Sequence, residues 1–334
     1  MNTIIALAIH DLERRDGVYQ VQLANKQLPV TPTTQRVIDE LYDLYNRRAS
    51  KSHGKFTTSE GYPTQDQVRD YVKTDGNDFL HLTSRMMETL RNQAQARSAS
   101  TGGHVLFAHF RRDGNQYLLA AIVTDKLSAA LTSQTNMQDV QHLDIDGFRF
   151  AGRINLTTWT NGEGRYISFL KGKGNVSEYF QHFLGCDSVV QDRLDTSNLV
   201  TTLKSFVAET KMPEQEGNVF LGRAKAICER ASRAKEKIEF EALANELMPK
   251  DPRRLLDHLA DTDRGLSDHF VPDRRALASL VRFKGTTKQW KVEFDRDAVS
   301  TGAVRYDPKA NTITLTNIPD ELVSQLHSEG LGNG

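Results

Sequence analysis

The chain has 334 residues, 43 of them Lys or Arg and 43 Asp or Glu, so its formal net charge is zero. That balance excludes a uniformly basic, histone-like coat, and a content of 38% hydrophobic and 26% charged residues excludes a chain disordered throughout. Cys186 and Cys228 are too few and too far apart for a disulfide framework or a zinc site, which fits a reducing cytoplasm, and no uncharged apolar run reaches the roughly 18 residues that span a bilayer.

Ile4 to His10 and Val18 to Leu23 read as strands of a hairpin turned at Asp16-Gly17. The first is apolar enough to suggest a signal peptide, but no basic region precedes it and His10-Asp-Leu-Glu-Arg-Arg15 follows at once. Thr31-Pro32 supplies an N-cap and a first-turn proline for a helix with Val37, Ile38, Leu41, Leu44 and Tyr45 on its apolar face. The acid-free run from Arg47 to Lys55 that ends it is expected to be an exposed loop, open to phosphate contact. A second long helix begins near Asn77-Asp78 and buries Phe79, Leu82, Met86, Leu90 and Ala94.

Val105 to Phe110 and Tyr117 to Val123 are apolar on both faces and are joined by Arg111-Arg-Asp-Gly-Asn115. This argues for a buried antiparallel hairpin and against a doubly wound parallel sheet. Strands near Val140 to Ile145 and Tyr166 to Leu170 are expected to extend that sheet, and a helix from Val176 to Leu184 closes the domain. From Leu194 the spacing turns helical, through Leu199, Leu203 and Phe206, then Phe220, Ala224 and Ile227, then Phe240, Leu243 and Leu247, with breaks at Pro213 and Pro249. The last segment mixes a helix opening at Pro272-Asp273, a hairpin of Val281 to Lys284 with Lys288 to Phe294 across Gly285-Thr-Thr287, a strand from Thr312 and a helix from Pro319. The expected fold class is α+β. It comprises a largely antiparallel sheet with packed helices over 1–186, a helical connector over 187–250, and a smaller α+β region with a basic hairpin over 251–334.

The most informative stretch is Arg165-Tyr-Ile-Ser-Phe-Leu-Lys-Gly-Lys-Gly-Asn175. Lys171 and Lys173 stand beside glycines where a strand hands over to a helix, a place where backbone can approach a ligand closely and a helix N-terminus offers N–H groups to an anion. A plain strand-to-helix connection with exposed lysines reads the same way. It is not a Walker loop, and no dinucleotide fingerprint is present. In the C-terminal hairpin, alternation puts Arg282, Lys284 and Lys291 on one face, with Lys288 at the turn and Arg274 and Arg275 on the preceding helix; such a face either binds phosphates or is a solvated edge that resists aggregation. Arg223, Lys225, Arg230, Arg233, Lys235 and Lys237 read more simply as a helix face with i,i+4 pairs. His104, His109 and Asp144-Ile-Asp146 lack metal-ligand spacing and read as satisfied structural groups, so no metal, cofactor or catalytic set is expected.

Tyr166 to Gly172, Leu143-Asp-Ile-Asp146, Ala151-Gly-Arg-Ile-Asn-Leu156 with Trp159, and Gly102-Gly-His-Val-Leu-Phe-Ala-His-Phe110 together resemble the bacterial nucleoid-associated protein family (NdpA/YejK-like). Phe270-Val-Pro-Asp-Arg-Arg275 and Asp307-Pro308 with Thr312-Ile-Thr-Leu-Thr-Asn-Ile-Pro319 extend the resemblance, while Asn155 stands where it leads us to expect an acid. The resemblance implies a non-enzymatic cytoplasmic protein of the nucleoid that binds double-stranded DNA, takes part in chromosome organisation and acts as a homodimer. The residues expected to contact DNA are Arg165, Lys171, Lys173, Arg274, Arg275, Arg282, Lys284, Lys288 and Lys291. They would hold phosphates with little sequence preference, because no recognition helix or zinc finger is discernible. RNA and a DNA-processing protein are further partners to expect, and a membrane is not. An adaptor that modulates a DNA-processing enzyme is the alternative class, and a metal-dependent nuclease a third.

Overall fold

A computed structural model describes residues 2–74, 76–96, 102–131, 136–171, 176–187 and 192–329. Its first part runs β1 (Thr3–Arg15), β2 (Val18–Gln22), α1 (Pro32–Arg47), β3 (Lys51–Phe56), α2 (Thr64–Lys73), α3 (Phe79–Ala96), β4 (Gly103–Arg112), β5 (Asn115–Val123), β6 (Asp125–Leu131), β7 (Met137–Leu143), β8 (Phe150–Asn155), α4 (Leu156–Thr160), β9 (Ile167–Leu170), α5 (Val176–Phe183) and β10 (Cys186–Asp187). Then follow α6 (Asp192–Glu209), α7 (Glu214–Ala234), α8 (Phe240–Leu247), α9 (Pro252–Ala260), α10 (Arg274–Leu277), β11 (Arg282–Thr286), β12 (Lys291–Asp295), α11 (Arg296–Ser300), β13 (Val304–Asp307), β14 (Thr312–Leu315) and α12 (Asp320–Ser328).

Eight strands form one sheet in the order β10-β3-β9-β8-β5-β4-β1-β2, with every neighbouring pair antiparallel. Two tight turns fix its registers: Asp16-Gly17 and Asp113-Gly114 both have positive φ at each position, the backbone that matches the twist of a two-residue hairpin. Because β4 and β5 are central, both of their faces are covered. Phe107, Leu118 and Ile122 pack with α2, α3 and α5 on one side, whereas Phe110, Leu119 and Val123 pack with Ile38, Leu41, Tyr42 and Tyr45 of α1 on the other. The α+β class with a largely antiparallel N-terminal sheet is thus as expected.

Two local expectations are overturned. The run from Lys51 to Gly54 is not an exposed loop but buried strand, paired with β9. Its lysine is buried because the ammonium caps α1, donating to the carbonyl oxygens of Tyr45 at 3.0 Å, Asn46 at 2.8 Å and Arg48 at 2.5 Å. Gly54 is required by close approach, since a Cβ there would stand 2.2 Å from the Asp187 carbonyl oxygen across the strand pair. Secondly, β7 does not extend the sheet: it pairs with β6 in a separate two-stranded ribbon, and Asp144 lies in the turn beyond, accepting from Gly147 N at 3.2 Å.

A second core gathers Leu199, Phe206, Phe220, Phe240, Leu255, Phe270, Leu277 and Leu280, so α6 to α10 share one interior. α9 packs on α1, which seats these helices against the α1 side of the sheet. The hairpin β11–β12 turns at Thr287 to Trp290, later than expected, because Thr287 N donates to Trp290 O at 2.8 Å. Beyond it, β13–β14 and α12 contribute almost nothing to any core: no residue of α12 is buried.

Candidate nucleic-acid interface

The C-terminus of α1, the Gly147–Phe150 turn and the end of β9 meet at a groove of about 800 Å³ lined by Arg47, Arg48, Arg149 and Lys171. Arg48 is held in place, donating to Asp146 O at 2.8 Å with its guanidinium 5.3 Å from the Phe148 ring. Arg47 and Arg149 are exposed and form no ion pair with any described residue. Lys171 is half-buried and donates to Asp268 O at 3.0 Å; burial lowers its pKa, the Asp268 charge opposes that shift and Lys237 adds to it. Glu239, Glu241 and Asp268 line the facing side. His269 lies 2.9 Å from Asp268 and 3.5 Å from Glu239.

The other expected contact residues are distributed elsewhere. Arg165 turns inward: its guanidinium meets Asp195 of α6 at 2.6 Å and 3.2 Å, with 10% of its side chain and none of the aspartate exposed. Lys173 lies outside the described residues. Arg274 and Arg275 are exposed on α10, and Lys288 and Lys291 are exposed at the hairpin. Arg282 is matched by acids, meeting Glu293 and Asp295 at 3.0 Å each, and Lys284 stands opposite Glu293 in register. By register Arg282 and Lys291 share a face with the β12 acids Glu293 and Asp295. The α7 cations are engaged as a helix face, with i,i+4 pairs Lys225–Glu229 and Arg233–Glu229 at 3.6 Å. Arg149 was missed; the signal available was a lone arginine between two phenylalanines at the mouth of a strand. Arg47 and Arg48 were marked by the absence of acids around them, although the chain beyond them is strand.

His104 and His109 have structural hydrogen-bond roles. His109 Nδ1 meets the Tyr71 hydroxyl at 2.7 Å and its Nε2 meets Gln116 Oε1 at 2.9 Å, which makes Nε2 the donor. His104 lies between two carboxylates, 2.5 Å from Asp11 and 3.2 Å from Asp125. One arrangement has the outline of a hydrolytic triad: Ser205 Oγ is 3.1 Å from His258 Nε2, and Glu209 is 3.6 Å from His258 Nδ1. It is wired the wrong way. Arg264, which can only donate, sits 3.2 Å from Nδ1, so the ring proton is on Nε2 and points at Thr202 O, 3.2 Å away. A protonated Nε2 cannot take a proton from Ser205. Among the described residues no group of three His, Cys, Asp or Glu side chains is placed to hold a metal. Asn155, the departure from the expected acid, accepts from Thr158 N at 3.0 Å and caps α4, a task Asn and Asp perform equally well.

The fold is an α+β scaffold that carries Arg47, Arg48, Arg149 and Lys171 at one groove. The match to the family model described as nucleoid-associated protein YejK covers residues 8–323, and the chain belongs to that family. It is similar to a nucleoid-associated protein of Metapseudomonas resinovorans, with 29% identity over 96% of this chain and 98% of that one. A nucleoid-associated protein of Pseudomonas savastanoi pv. phaseolicola is 28% identical over 95% and 97% of the two chains, and one of Pseudomonas putida KT2440 is 29% identical over 95% and 96%. These descriptions name a nucleoid association and no enzymatic activity.

Proposed function

We propose that this protein binds double-stranded DNA in the nucleoid through phosphate contacts, with little sequence preference, and bridges DNA segments as a homodimer. The observation that carries the DNA reading is the gathering of Arg47, Arg48, Arg149 and Lys171 at one groove on a molecule of zero net charge. Lys173, outside the described residues, stays an expected contact on its sequence alone; Arg274, Arg275, Lys288 and Lys291 form a second, weaker contact region. Arg165 and Arg282 are left out because carboxylates occupy their guanidinium groups. The acids on the facing wall, Glu239, Glu241 and Asp268, repel a backbone that enters the groove and favour one lying along the arginine side. Phosphate contacts do not read bases, so RNA is expected to compete.

The bridging reading is supported by the C-terminal elements, whose apolar faces are left largely uncovered by the described residues. Val304, Tyr306, Ile313 and Leu315 share one face of the β13–β14 ribbon, and only Val304 is buried. A protein partner that processes DNA would use the same uncovered face.

Titration of duplex DNA at several salt concentrations tests the binding mode. Four phosphate contacts give a log–log slope of about −3.6, and the double reversal Arg47→Glu with Arg149→Glu, both exposed and unpaired, should reduce its magnitude by about 2 and weaken binding at least tenfold. A folded double variant that binds as the parent does would remove the groove from the interface.

A further inference from the structure

A second cleft, of about 640 Å³, lies between the sheet and the Thr262–Gly265 turn. Part of its wall is a row of three polar side chains, because Ser168 of β9 is in register with both Arg153 of β8 and His53 of β3. Neighbouring strands are about 4.8 Å apart, so the three stand side by side on one face. All three are buried.

What they leave unmet is specific. Arg153 donates from one terminal nitrogen to the Tyr42 hydroxyl and from the other to Asp263 at 2.8 Å, yet its Nε has no partner among the described residues. Neither ring nitrogen of His53 has one. The Thr262 backbone lies beside the ring without making a hydrogen bond of ordinary geometry to it. Ser168 Oγ accepts from the Tyr45 hydroxyl at 2.8 Å, so its own proton can go to a further acceptor. Folded proteins leave few buried polar atoms unpaired, and here His53 and Arg153, two side chains that carry such atoms, both belong to the lining of one cleft.

Arg153 Nε, the serine hydroxyl and one imidazole N–H are donors, and together they ask for a ligand with several acceptor oxygens. The charge around them is nearly balanced. Lys55, Arg165 and Arg264 line the cleft with Asp187 and Asp263, while Asp195 neutralises Arg165, and Glu209 and Asp261 flank Arg264. Directed hydrogen bonds in a weak field suit a small anion better than a polyanion. The volume lies within the roughly 300–1,000 Å³ of small-molecule sites.

We infer that this cleft binds a small phosphate-bearing molecule, up to mononucleotide size, with its phosphate on the His53–Ser168–Arg153 row. Calorimetric titration of the full chain with inorganic phosphate and, separately, with AMP tests it, together with the imidazole nitrogen-15 signals of His53. Saturable binding that moves those signals is expected; tighter binding of AMP identifies a nucleotide as the source of the phosphate, and equal binding identifies free phosphate. His53→Phe keeps the ring volume, deletes both nitrogens and should weaken binding at least tenfold. It should leave duplex titration at the Arg47 groove unchanged, so the two sites are separable. If that variant does not fold, the nitrogen-15 titration of the unmodified protein decides. No saturable binding of either probe at millimolar concentration, or saturation that leaves the His53 signals unmoved, overturns the assignment.

Discussion

Two histidines in the first domain have opposite environments, and the stability of the protein should register both. Burial pushes the His53 pKa well below its ordinary value, and the charges of Lys51, Arg153 and Arg165 push it further the same way. Burial also opposes the charge of His104, but hydrogen bonds and charge from Asp11 and Asp125 outweigh it and raise the pKa. A group with a raised folded pKa adds stability that is complete below its unfolded value of about 6.5 and is lost as pH rises through the folded value. For His53 the sign is reversed: its neutral form is favoured, so stability is complete above about 6.5 and falls as acid protonates the unfolded chain. His104→Gln should therefore remove stability on the acidic side of His104's folded pKa and none at alkaline pH. The effect should be at most about 1 kcal/mol because the site is partly solvated. Guanidinium midpoints of parent and variant across that range check this; an unchanged difference at every pH would show that His104 is not charged in the fold. Neither environment is readable from spacing, since Asp11, His104 and Asp125 come from three separate strand segments.

At the scale of elements, what the sequence disclosed depended on where polar side chains find partners. Strands β4 and β5 were legible because every residue from Val105 to Phe110 and from Tyr117 to Val123 is buried, and apolar residues are the cheapest to bury. Strand β3 was not legible, because Lys51, Ser52, His53 and Gly54 are buried too, with partners outside the strand: α1 carbonyls for the Lys51 side chain, and Ser267 Oγ, 3.2 Å away, for the backbone N–H of His53. Arg165 shows the same limit. Its pattern as a cation ahead of a glycine-lysine turn suggested phosphate, whereas its partner Asp195 lies thirty positions on, in α6. That pair joins the sheet to the second core, and Asp195 also accepts from Ser267 N at 3.2 Å. Asp195→Ala should leave the Arg165 guanidinium buried without a counter-charge, which typically costs about 3–5 kcal/mol, so a clear drop in thermal midpoint is expected. A variant as stable as the parent would mean that water reaches Arg165 and that this pair adds nothing to the joining of the two cores.

For the whole molecule, overall composition was informative about class and silent about assembly. Zero net charge required segregated cations, and the arginines at the α1 groove are so segregated, but no heptad or repeat announces a second copy. The reason for expecting one is structural. An isolated two-stranded ribbon is at best marginally stable in water, yet β13–β14 stands with Tyr306, Ile313 and Leu315 exposed, and α12 follows with Leu322 and Leu326 exposed one helical turn apart. On the β6–β7 ribbon Leu127, Leu131 and Met137 share one face and are exposed. Surfaces of this kind are stable when covered, and a two-fold axis through the C-terminal elements covers both copies with one contact while carrying two Arg47 grooves on one particle. Leu322→Asp with Leu326→Asp should convert a dimer into a monomer in light scattering. The variant's affinity for a short duplex should stay within a fewfold of the parent's, because one groove suffices for that, while its capacity to hold two duplexes in a bridging assay should be lost. Monomers in the parent at every concentration would reject the homodimer and leave the C-terminal face to a different protein; a variant that bridges as well as the parent would instead place both DNA contacts on a single chain.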